Sequence, residues 1–191
     1  MKMTCAILAG GKSTRMGRDK ATIKIGKKAL IRLVYDRVKE VFDEVIILSK
    51  LHDTIEGIDA PVLKDVVPFG NSMAGIASAL LYSKTPYTFV VACDMPFLSS
   101  EAFNYMVNEA TGEDIIIPKT KLGLEPLHAI YNRSCIAHFL RLIGQDRFKV
   151  TGVLPFVSVK ELEEQPCFFI NGSSVFININ ATKDLSMVEA I

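Results

Sequence analysis

The sequence predicts an α/β protein: a mostly parallel sheet in three layers, with helices on both faces. Three observations predict it. Short apolar runs alternate along the chain with segments of helical period. Several runs are rich in Val and Ile at consecutive positions, as strands buried on both faces are. No repeat, low-complexity tract or Pro/Gly/Ser linker divides the chain, so residues 1–191 read as one domain.

Strands are expected at Thr4–Ala9, Glu44–Ser49, Val62–Lys64, Tyr87–Cys93, Asp114–Pro118, Pro126–Tyr131, Phe156–Val159 and Val175–Ile179. Between them, Leu30, Val34, Val38 and Val41 recur at helical spacing along Ala29–Phe42, and Met73, Ile76, Ala77 and Leu80 along Ser72–Tyr82. Further helices are expected at Ser100–Glu109, Ser134–Ile143 and Thr182–Ala190. In such sheets ligands bind outside the carboxyl ends of the strands. The loops after Leu8, Leu48, Leu63 and Cys93 are therefore where chemistry is sought.

Composition narrows the function. The 22 Lys+Arg nearly balance the 21 Asp+Glu, which speaks against a broad nucleic-acid-binding face. With 49% apolar residues, 191 residues can bury a core that needs no disulfide or metal staple. No apolar run approaches the ~20 residues that cross a bilayer. The run Cys5–Leu8 is too short for a signal-peptide core, and Gly10-Gly11 cuts it off. A cytoplasmic protein without a membrane partner is expected. Cys5, Cys93, Cys135 and Cys167 show no C-x-x-C spacing and read as reduced thiols. His52, His128 and His138 show no metal-ligand spacing, and no nucleophile–base set stands out.

The richest segment is Leu8-Ala9-Gly10-Gly11-Lys12-Ser13-Thr14-Arg15-Met16-Gly17-Arg18-Asp19-Lys20, directly after the first strand. Its glycines let the backbone approach a ligand, and consecutive N–H groups there can form an anion nest. Lys12, Arg15, Arg18 and Lys20 concentrate positive charge in an otherwise neutral chain. Together these fit a polyphosphate. A cation ~4 Å from a phosphate charge contributes ~4 kcal/mol at an effective dielectric of 20. The Walker A pattern fails, because Ala6 stands where its first glycine is required. The dinucleotide pattern G-x-G-x-x-G is absent too, because Gly10 and Gly11 are adjacent.

This segment resembles the L-x-G-G-x-S-x-R-M-G-x-D-K signature of the molybdenum-cofactor guanylyltransferases. The resemblance continues through Asp65, Cys93-Asp94-Met95-Pro96, Glu125-Pro126-Leu127-His128 and Asn178-Ile179-Asn180. It implies a Rossmann-like, nucleotide-diphospho-sugar-transferase-like fold. The implied reaction joins GMP from GTP to the phosphate of molybdopterin or its molybdenum form, with Mg²⁺ as cofactor and pyrophosphate leaving. The acceptor phosphate is itself the nucleophile, so the protein supplies alignment and charge neutralisation. The resemblance leaves room for a protein partner that delivers the cofactor.

By the same resemblance, Arg15, Lys20 and Asp94 carry catalysis. Arg15 holds the β- and γ-phosphates, and Lys20 stabilises the α-phosphate or the leaving group. Leu8, Ala9, Gly10 and Gly11 receive the nucleotide with Lys20, Asp65 and Asp94. From position alone, Asp94 is either a turn residue before Pro96 or a hard oxygen ligand; the resemblance makes it the Mg²⁺ ligand. Asp65 can accept paired hydrogen bonds from a guanine's N1–H and N2–H₂. Asn180 completes the metal or phosphate shell or caps the following helix, while Asn178 and His128 lie towards the acceptor.

The chain departs from the family in three places. Gly70-Asn71-Ser72-Met73-Ala74-Gly75 lacks the Pro of G-P-L-x-G, with Asn71 or Ser72 as a helix cap instead. An Asn common after the second strand is replaced, with Lys50 nearby. The late N-x-N-T-P-E-D motif reads Asn178-Ile179-Asn180-Ala181-Thr182-Lys183-Asp184. Rival readings are a cytidylyltransferase, whose relatives carry L-A-A-G, a nucleotidyltransferase for another small phosphate, and a non-catalytic nucleotide-binding partner.

Overall fold

The computed structural model describes residues 2–10, 23–26, 28–67 and 70–179. Its centre is a sheet built from β1 (Thr4–Leu8), β4 (Glu44–Leu48), β5 (Val62–Leu63), β6 (Tyr87–Ala92), β7 (Ile115–Thr120), β9 (His128–Asn132) and β10 (Val159–Glu163), with β8 (Gly123–Leu124) paired to β7. The order is β10-β7-β9-β6-β1-β4-β5. Neighbours along this order pair in parallel except at β9, which runs antiparallel to both β6 and β7. Two short ribbons lie outside it: β2 (Lys24–Ile25) with β3 (Lys28–Ala29), and β11 (Phe169–Ile170) with β12 (Ser173–Ser174).

Strand alternation makes the three layers. Along β1, Cys5 and Ile7 face one side, into a core shared with Ile31, Val34 and Phe103. Ala6 and Leu8 face the other, into a core with Met73, Leu80 and Phe139. The first face is covered by α1 (Leu30–Lys39) and α3 (Ser100–Asn108), the second by α2 (Ser72–Tyr82) and α4 (Ile136–Ile143). Helix α1 is amphipathic and buries Leu30, Ile31, Val34, Tyr35 and Val38. Helix α2 is buried along almost its whole length, matching its nearly all-apolar sequence.

Two expected strands take other forms. Phe156–Val159 is the end of a 3-10 helix, Val150–Phe156, followed by β10. Pro155 lacks an N–H and suits that winding. β10 is an edge strand that buries only Leu162, so its charged sequence gave little apolar signal. Val175–Ile179 is not a strand either. Val175, Phe176 and Ile179 are apolar because they plug core clusters, and the Ile179 N–H donates to the Asp94 carbonyl at 2.8 Å. The helix expected at Thr182–Ala190 lies outside the described residues. The segment expected to form a helix from Ser134 starts as a 3-10 turn, Arg133–Cys135, before α4.

All four cysteines are free thiols; Cys5, Cys93 and Cys135 are buried and Cys167 is partly so. Burial pushes the Cys135 thiol up to about 12 and Cys5 further still, so neither is a thiolate near neutrality. Among the described residues no helix is long and apolar enough to cross a membrane.

Candidate functional site

Four adjacent parallel strands end level. Leu63 pairs with Leu48, Leu48 with Leu8, and Leu8 with Ala92. The residues that follow each strand therefore lie along one end of the sheet, where sheets of this kind take their ligands: Lys64-Asp65, Ser49-Lys50, Ala9-Gly10 and Cys93-Asp94. Three strand spacings of ~4.8 Å separate the β5 end from the β6 end, about 14 Å in all. The chain turns out of the sheet under backbone control. Ala9 N–H donates to Leu48 O at 2.8 Å, Ser49 N–H to Leu63 O at 2.9 Å, and Cys93 N–H to Leu8 O at 3.1 Å. These bonds extend the parallel pairing one residue beyond the strands and fix where each loop departs.

Leu8 and Ala9 are buried, and Gly10 is exposed with open space where a side chain would stand. Gly11, Arg15 and Lys20 lie outside the described residues, as does Asn180. Gly75 of α2 approaches β1 closely: a Cβ there would stand 3.3 Å from a Leu8 methyl. The missing Pro before α2 is compensated locally. Asn71 caps the helix, its Oδ1 accepting from Ala74 N–H at 2.9 Å.

Asp65 follows β5 and is half-buried. Burial raises its carboxyl above the usual range, opposed by the positive charge of Lys50. Asp94 is half-buried in the turn after β6, where the Met95 amide returns to Ala92 O at 3.4 Å. Beyond it, Ala92 N–H donates to Leu127 O at 3.1 Å, which brings the Glu125–Leu127 turn to the same end of the sheet. Burial also raises the Glu125 carboxyl.

A divalent cation fits this donor set in a particular way. Asp94 offers one hard oxygen ligand, and among the described residues no cluster of three or more His, Cys, Asp or Glu forms a cage. Mg²⁺ takes one or two carboxylates and fills the remaining positions with water and phosphate oxygens. A single protein carboxylate, with water and phosphate oxygens in the other positions, is within that coordination.

The two acceptor-side candidates sit deeper than the sequence suggested. His128 is fully buried, stacked on Phe103 with centroids 5.3 Å apart and edge-on to Phe89 and Phe176. Neither ring nitrogen has a hydrogen-bond partner among the described residues, and burial pushes its pKa down to about 3. It presents no surface to a ligand here and acts as a neutral aromatic in the core. Asn178 is half-buried one residue before the Ile179–Asp94 bond, and its Oδ1 is buried without a partner among the described residues. The backbone tie to Asp94 has no sequence signal beyond the apolar run Val175–Ile179, which fits a strand equally well.

Residues 5–154 match the model of the MobA-like NTP transferase domain. The chain belongs to that family. It is a nucleotidyltransferase. A protein of Pelotomaculum thermopropionicum named as a probable molybdenum cofactor guanylyltransferase is 35% identical, across 97% of this chain and 91% of the relative. One of Clostridium perfringens with the same name is 40% identical, across 87% of this chain and 84% of the relative. Among solved structures, the molybdopterin-guanine dinucleotide biosynthesis protein A of Archaeoglobus fulgidus superposes with a TM-score of 0.83 at 27% identity, covering 98% of this chain and 97% of that one. The mostly parallel three-layer sheet agrees with these relatives.

Proposed function

We propose that this chain, acting as one domain over residues 1–191, transfers GMP from GTP to the phosphate of molybdopterin and releases pyrophosphate. The observation that carries the reading is the 35–40% identity, over most of the chain, to relatives named for that transfer. The level strand ends support it, because they offer a crevice on the scale of a nucleotide, with Asp65 at one end and Asp94 at the other.

In this reading the backbone of Leu8, Ala9 and Gly10 receives the nucleoside, and Asp65 accepts hydrogen bonds from the base. Gly11, Arg15 and Lys20 bind the phosphates and neutralise the charge that moves to the departing pyrophosphate. Asp94, with Asn180, holds the divalent metal, taken here as Mg²⁺. When bound, that ion supplies positive charge to the phosphate oxygens. Asn178 orients the acceptor, and His128 supports that wall from inside the core. The acceptor phosphate is anionic near neutrality and attacks without a protein base, which agrees with the lack of a nucleophile–base pair in the sequence. The reaction is assigned to the cytoplasm.

Equilibrium binding of GTP, CTP, ATP and UTP in Mg²⁺, with Asp94→Asn beside the wild type, tests this. Preference for GTP, weakened in the variant, is the expected result. Preference for CTP would replace the guanylyl reading with a cytidylyl one. Pyrophosphate release that does not depend on molybdopterin would refute the acceptor, and full turnover by Lys20→Ala would refute the role given to that lysine.

A further inference from the structure

Lys50 is the second residue after β4, and its position is built rather than incidental. Its side chain lies over Gly70, so closely that a Cβ on Gly70 would stand 2.9 Å from Lys50 Cε and nearer still to Nζ. Gly70 also has φ +63°, a conformation that side chains disfavour. Glycine is thus favoured there by its own backbone, and its bare Cα leaves the space that the end of the lysine occupies. The backbone of Lys50 is held in turn. Lys64 Nζ donates to the Lys50 carbonyl at 3.1 Å and the His52 carbonyl at 3.0 Å, and pairs with Asp53 at 2.8 Å. Asp65 follows the adjacent strand end, two residues past Leu63 as Lys50 is two past Leu48, and its carboxyl feels the positive charge of Lys50.

An ammonium and a carboxylate side by side are poorly matched to a polyphosphate, because the carboxylate repels it. They suit a neutral heterocycle that offers an acceptor next to a donor. The pairing edge of guanine has that pattern, with O6 beside N1–H and N2–H₂. Adenine reverses it, presenting an amine to the lysine and a bare ring nitrogen to the carboxylate. We propose that Lys50, seated on Gly70, is a specificity-determining residue that donates to guanine O6 while Asp65 accepts from N1–H and N2–H₂. This rests on the guanylyl reading above and gives it a base-recognition pair.

The test is calorimetric binding to the full chain in Mg²⁺. The probes are GTP, ITP, which lacks only the 2-amino group, and the triphosphate of 2,6-diaminopurine riboside, which carries an amine in place of O6 and a bare N1 in place of N1–H. The proteins are wild type, Lys50→Met and Asp65→Asn. Lys50 is exposed, so its variant is expected to keep the wild-type unfolding midpoint. A lost hydrogen bond from a charged group corresponds to roughly a ten- to hundredfold loss of affinity. Lys50→Met should weaken GTP and ITP alike by that factor and narrow the GTP-over-diaminopurine preference by at least about tenfold. Asp65→Asn should instead collapse the GTP-over-ITP preference. If Lys50→Met weakens all three nucleotides equally, the lysine serves phosphate and the proposal falls while the guanylyl reading stands. If the wild type shows no preference for GTP, both fall together.

Discussion

The amide of Ile179 donates to the carbonyl of Asp94 at 2.8 Å, tying a segment late in the chain to the turn that follows β6. Ile179 is itself fully buried against Leu30 and Phe97. The turn after β6 is therefore clamped from both sides, by Ala92 within its own strand and by residue 179. Replacing Ile179 with Pro removes the donor, whereas Val keeps it and loses one methylene. Ile179→Val should cost about 1 kcal/mol of stability and leave metal-dependent GTP binding intact. Ile179→Pro should weaken that binding at least about tenfold. Titrations with and without the divalent ion compare the two; equal affinities would show that the tie does not position Asp94.

Helix α2 depends on its cap. Asn71 Oδ1 accepts from Ala74 N–H, and the first turn contains no acidic residue that would complement the helix dipole. Asn71→Ala should lower stability by about 1 kcal/mol, and Asn71→Ser or Asp by much less. Urea unfolding midpoints at constant m-value measure this.

Asp65 predicts a pH dependence of binding. Its carboxyl titrates above the ordinary range because burial disfavours the charged form. The ionised form is the hydrogen-bond acceptor, so GTP affinity should fall as pH drops, beginning at a higher pH than for an unperturbed carboxylate. Asp65→Asn should bind weakly throughout and lose this limb. An unchanged pH profile in the variant would assign the titration to another group.

Much of this was legible in the residues. Ser72–Tyr82 was predicted with its exact bounds, because an almost wholly apolar run flanked by Asn71 and the Ser83-Lys84-Thr85-Pro86 break has one reading. β1, β4 and β6 carried Val, Ile and Ala at consecutive positions and ended at glycine or polar residues, so the crevice could be located before the fold was known. β10 could not be read, since an edge strand whose Lys119–Glu161 pair at 2.8 Å faces solvent looks like a loop in sequence. Val175–Ile179 misled because burial, not strand pairing, set its apolar positions. The depth of His128 was hidden as well. Its face follows from pairing opposite Val91, which turns the ring towards Phe89 and Phe103, and that register is not written in Pro126-Leu127-His128-Ala129.

That imidazole gives a stability prediction whose sign is fixed. Its folded pKa, about 3, lies below the 6.5 of the unfolded chain, because burial penalises the charged ring. Between those values the unfolded state binds more protons than the folded one, so stability rises with pH there. The contribution is complete above 6.5 and is lost as pH falls towards 3. One proton gives at most about 1.4 kcal/mol per pH unit, and about 2 kcal/mol between pH 6.5 and 4.5, because the unfolded ring is half protonated at the upper limit. His128→Phe keeps a ring among Phe89, Phe103 and Phe176 and removes both unpartnered nitrogens. The variant should be at least as stable as wild type near neutrality, because an unsatisfied buried polar group has been replaced by an apolar one. Its stability should then fall less steeply on acidification, by that same margin at pH 4.5. Urea titrations across this range for both proteins give the difference curve directly. A flat difference would mean that His128 meets a proton acceptor in solution and is not a neutral core residue.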